Sequence, residues 1–225
     1  MKNPAKSFLM FLLYAAIAAL IAHLILGYIH RNRVLNEVIA RLLADTRTAE
    51  VLVTGVNYDE TAKKTYTTIK FLEYDVKGMP LKPKYFTFAG NIIQFQSLVI
   101  RFDDARVMRG DKLQGKSAYL FWKVFMLDGA DTQEFEITKL SEVPEGYRFE
   151  TKKGAYEEKL WSKFWKYALD PKESDKLGVK NAQIEAPGVM FIPGMVYTIK
   201  IENDGGLRID STPIPTVLRG EKILE

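Results

Sequence analysis

Residues 110–117 read GDKLQGKS and satisfy the pattern G-x-x-x-x-G-K-[ST]. These residue types at this spacing can cradle a triphosphate. The two glycines let backbone N–H groups wrap the phosphates, Lys116 would neutralise the outer ones, and the Ser117 hydroxyl would hold Mg²⁺. Such a cradle joins a buried parallel strand to a helix, whose N-terminus adds partial positive charge. The flanks do not match that context. RFDDARVMR, before the loop, can end a strand, but SAYLFWKVFML, from Ser117, carries aromatics and valine in a period of two. Asp128 imitates the metal-holding acid yet follows Ser117 by only 11 residues, too few for a helical crossover. Gly110, Gly115, Lys116 and Ser117 are the phosphate-binding candidates, on condition that a helix begins near residue 117. About one chain in a hundred of this size meets the pattern by chance, and a loop between two strands is the competing reading.

Other chemistries are thinly supplied. Both histidines, His23 and His30, lie near the start of the chain, and there is no cysteine. The region beyond residue 46 therefore cannot assemble a Ser–His–Asp triad, a thiolate nucleophile, a disulfide, or a histidine or thiolate metal site by itself. A Ser–Lys dyad stays open as an alternative, with Ser97, Ser117 and Ser141 near strand-like segments rich in lysine. It requires a serine Oγ within hydrogen-bond reach of a lysine amine in a cleft. The acid pairs Asp103–Asp104 and Asp128–Asp131 lack the alternating oxygen ligands of a calcium loop. No metal and no cofactor is expected.

The residues that could act must be held by something, and the first element is the most legible. From Ser7 to Ile29, 23 residues run with no ionisable side chain except His23. At about 1.5 Å per residue that is roughly 35 Å of helix, against a hydrocarbon core of about 30 Å. The reading is a transmembrane helix, with membrane lipid as its partner. A cleaved signal peptide would have a shorter apolar stretch; here apolar sequence continues past the alanines through Leu24, Ile25 and Leu26. Lys2 and Lys6 precede the span and Arg31, Arg33 and Arg41 follow it, a near tie in flanking charge. A six-residue tail ahead of a single span favours a cytoplasmic N-terminus and an extracytoplasmic domain. Ala15 with Ala19, and Ala18 with Ala22, place small residues four apart, which suits self-association of the span.

The formal charge of +4 comes from this end of the chain. Setting aside the bases at 2, 6, 31, 33 and 41 and the acid Glu37 leaves 27 of each sign. Nucleic-acid binders need a basic surplus on one face, so no nucleic-acid partner is expected. The excess beside the span suits lipid phosphates.

Beyond the span, Leu35, Val38 or Ile39, and Leu42 recur at helical intervals, continuing the helix to about residue 44 as a neck. The period then becomes that of strands. EVLVTGVNY and TYTTIKFLEYD predict a long hairpin, and KYFTF and IIQFQSLVIRF predict two more strands joined at Gly90–Asn91. SAYLFWKVFML places Leu120, Trp122, Val124 and Met126 on one face, QEFEIT alternates, and MVYTIKIENDGGLRID gives a last hairpin. AYEEKLWSKFWKYAL predicts a helix with Leu160, Trp161, Phe164, Trp165 and Ala168 on one stripe. That stripe can cover a sheet, or its rings can be offered outward, which makes Trp161 and Trp165 the candidates for partner contact.

The expected fold class is α+β: mainly antiparallel β, an open sheet or partly closed barrel, with one packed amphipathic helix, preceded by an N-terminal transmembrane helix. The segments are a tail at 1–6, the span at 7–29, a neck at 30–46, a β-rich domain at 47–212 and an irregular tail at 213–225. The expected function is non-enzymatic binding or scaffolding of a protein or envelope component by a single-pass membrane protein. The alternatives are a tethered Ser–Lys hydrolase and nucleotide binding through residues 110–117.

Overall fold

The computed structural model describes residues 4–42, 47–75, 77–102, 117–128, 131–148, 155–172, 179–185, 187–201 and 206–218. The chain divides into two compact units, Met1–Ala40 and Arg41–Glu225. In the first unit one unbroken helix, α1 (Pro4–Leu42), takes in the expected span and most of the expected neck. Proline is tolerated in its first turn, where the missing N–H would have no intrahelical acceptor. The stretch Met10–Ile29 is long and apolar enough to cross a membrane, and every side chain in it is exposed.

The second unit is built on two open sheets, with every strand pair antiparallel. One sheet takes the first three strands and the last two: β1 (Arg47–Asp59), β2 (Lys64–Glu73), β3 (Lys84–Phe88), β9 (Met195–Ile201) and β10 (Leu207–Pro213), in the order β10-β9-β1-β2-β3. The other takes β4 (Ile92–Phe102), β5 (Ser117–Asp128), β6 (Asp131–Glu136) and β7 (Val179–Glu185), in the order β6-β5-β4-β7. The short β8 (Gly188–Met190) pairs with the start of β4. The barrel alternative is thus replaced by a sandwich. Alternate residues of both sheets meet in one core: Ala49, Val51, Ile69, Phe71, Phe88 and Ile199 from the first sheet, and Ile93, Phe95, Val99, Phe121 and Val124 from the second. Phe71 stacks on Phe95 at 5.6 Å between centroids and meets Phe121 edge-on at 5.5 Å, the offset and T-shaped arrangements that aromatic quadrupoles favour.

Turn chemistry follows the local sequence. Asp59 Oδ1 accepts from Thr61 N at 2.8 Å and Ala62 N at 3.0 Å, closing the expected β1–β2 hairpin. Asp75 Oδ1 does the same for Lys77 N and Met79 N, both at 2.8 Å. Gly90–Asn91, expected as a hairpin turn, is instead a crossing between sheets, since β3 and β4 belong to different ones. A Cβ on Gly90 would lie 2.7 Å from Met126 Sδ, so any larger residue there would have to displace the methionine.

The expectation for β5 is also corrected. Gln96 faces Lys123 and Ser97 faces Phe121, which leaves Trp122 as the extra residue of a β-bulge. The bulge flips the alternation. Tyr119 and Phe121 point into the core before it, and Val124 and Met126 after it, so Leu120 and Trp122 lie on the opposite face from Val124 and Met126. The carbonyl of Trp122 accepts from Ile137 N and Thr138 N at 2.8 and 3.1 Å, anchoring the segment that leaves β6.

Helix α2 (Ala155–Leu169) packs over β4 and β7 on that outer face. Leu98, Ile100 and Leu120 are buried there, outside the inter-sheet core. This sheet is therefore covered on both sides where α2 lies over β4 and β7. Strands β7 and β8 are not legible in the sequence, because VKNAQIE carries too few apolar residues to show a strand period and β8 is only three residues long.

Ser97 occupies an interior position between Phe95 and Val99, and its buried hydroxyl has no hydrogen-bond partner. Replacing it with alanine removes a desolvated polar group at little cost in volume, so Ser97→Ala is expected to stabilise the fold by about 1 kcal/mol. Denaturant unfolding of the full chain in detergent tests this, and a lower midpoint would contradict it.

Candidate functional site

Of the four phosphate-binding candidates, Gly110, Gly115 and Lys116 lie outside the described residues. Ser117 opens β5 and pairs with Arg101 of β4. The helix on which the nucleotide reading was conditional is therefore an antiparallel strand. A strand has no aligned terminal N–H groups and no macrodipole to offer an anion.

Trp161 and Trp165 must be withdrawn as partner contacts. They are 2% and 1% exposed. Trp161 packs against Tyr147 at 5.1 Å and Phe164 at 4.6 Å, and Trp165 lies 6.1 Å from Trp122. Trp165 Nε1 donates to the carbonyl of Glu142 at 2.8 Å, satisfying the one polar atom the ring carries inward. The stripe serves the helix–sheet contact, because an exposed apolar sheet face gains more from covering than a partner surface would from rings left in water.

Of the three serines considered for a dyad, the side chain of Ser117 lies outside the described residues, and the other two show no lysine partner among those residues. Ser97 is sealed in the core. Ser141 sits exposed in a turn at a φ of 64°, with no lysine amine paired to it. Asp103–Asp104 lies outside the described residues. Asp128 and Asp131 face each other as the closing pair of the β5–β6 hairpin, a common place for aspartate. No group of three His, Cys, Asp or Glu that could hold a metal occurs among the described residues.

Among the described residues two features remain as candidate sites. The first is a cleft of about 370 Å³ between the turn after β6 and the first turns of α2, lined by Ser141, Glu142, Arg148, Glu157, Glu158 and Ser162. Its walls are fixed from outside. Thr138 Oγ1 donates to Phe121 O at 2.7 Å, Tyr147 Oη donates to Tyr119 O, and Arg148 Nε donates to Val143 O at 3.2 Å. Glu157 is buried at its floor, in the first turn of α2, where a carboxylate is favoured by the helix dipole. The lining mixes carboxylates, hydroxyls and one guanidinium with the apolar Val143. It has room for a small molecule.

The second is a rim of exposed apolar side chains. Strand β1 runs away from Arg47, β2 returns and β3 runs away again, so β4 begins at the end of the sandwich opposite Arg47. There Ile92 faces Met190 across the β4–β8 pair. Leu127 lies alongside, since Gln94 faces Phe125, and Ile192 follows β8. These four side chains are between 44% and 60% exposed. Helix α2 covers only the other half of this sheet. Such clusters mark contact surfaces more often than scattered apolar residues do. Sequence reasoning missed the rim because alternation assigns a residue to a face without saying whether that face is covered.

One titratable group outside the cleft is displaced. Tyr74 Oη donates to Glu50 Oε2 at 2.8 Å across β1 and β2. Burial pushes the phenol up from 10.0 to about 12, and the hydrogen bond to Glu50 and its negative charge push the same way. A folded value above the unfolded one means the stabilisation is complete below pH 10 and lost as pH rises toward 12. Tyr74→Phe is expected to flatten that part of the unfolding midpoint against pH. An unchanged slope would assign the loss to other tyrosines.

Fold and site together define a two-sheet antiparallel sandwich following a long apolar helix, with a small cleft beside α2 and an apolar rim. No protein-family model matches the chain, and neither the curated proteins nor the solved structures give a match.

Proposed function

We propose that the protein is a single-pass membrane-anchored binding protein. Residues 7–29 cross the bilayer with the N-terminus in the cytoplasm, and the sandwich works outside it as a contact module for a protein or envelope component. The observation that carries this reading is the apolar helix Met10–Ile29, none of which is buried by the rest of the chain. Twenty such residues left in water would be costly at about 25 cal/mol per Å², and lipid removes that cost.

The rim at Ile92, Leu127, Met190 and Ile192 is the contact surface. Ile92→Asp with Met190→Asp places two charges in it without touching the core. In membranes carrying the full chain, photo-crosslinking from position 127 is expected to yield a discrete adduct with the wild type and at least tenfold less with the double variant. Equal unfolding midpoints for the two proteins make the comparison fair. An adduct that survives both substitutions would remove the rim from the proposal.

A further inference from the structure

We draw no further inference here: the strongest candidate, the face of helix α1 on which Ala16, Ala19 and Gly27 flank His23, is a run of small side chains around one imidazole, and nothing in the structure shows what covers it.

Discussion

Replacing Ile17 and Ile21 with lysine is expected to release the protein from the carbonate-resistant membrane fraction. Both side chains are exposed near the middle of Met10–Ile29, one turn apart. A lysine at the centre of a span costs about 2.5–3.5 kcal/mol on insertion scales, so two cost roughly 5–7 kcal/mol. At about 1.4 kcal/mol per factor of ten, that shifts partitioning on the order of 10⁴-fold. A reporter fused after Glu225 and active only outside the cytoplasm reads the same event. It should be active on the wild-type chain and silent on the double variant. Val56→Lys, at an exposed position of β1, should change neither readout. If the double variant stays in the pellet, α1 is not what holds the protein to the membrane. If the wild-type fusion is silent while the chain remains membrane-bound, the anchor stands and the orientation is reversed.

Trp165→Ala is expected to lower the stability of the sandwich by about 3–5 kcal/mol. The ring is 1% exposed, and its Nε1 satisfies the Glu142 carbonyl, which would be left to find water. Domains of this size hold only about 5–15 kcal/mol in total, so the variant should unfold at a much lower denaturant concentration. Lys159→Ala, exposed on the same helix, should stay within about 0.5 kcal/mol of wild type. A ring that served a partner would behave the other way, keeping the midpoint and losing the contact. An unchanged midpoint for Trp165→Ala would mean that α2 is not packed on β4 and β7.

What could be read from the sequence was whatever has a period. Helix α1 is legible because lipid-compatible residues run unbroken, the β1–β2 hairpin because valine, threonine and aromatics flank Asp59, and α2 because its apolar residues recur every three or four. Sheet membership is not legible, since nothing in KYFTFAGNIIQF distinguishes a return from a crossing; Gly90 serves both. The bulge at Trp122 is set by the carbonyl it offers to Ile137 and Thr138, a contact made across strands and invisible along the chain. The tryptophans and the rim failed for one shared reason. Trp161 and Trp165 are covered and Ile92 and Met190 are not, and covering is decided by elements far away in sequence.

The first sheet has a consequence for the order in which the molecule is made. Its second-position strand, β9, is held between the earliest strand and the last, with Arg47 opposite Ile201 and Ile201 opposite Leu207. A nascent chain delivered from its front end gives β1 its second neighbour only once residues 195–201 have emerged. Until then one flank of β1 stays unpaired, a template for wrong partners. A chain stalled on the ribosome short of residue 195 would keep that edge bare.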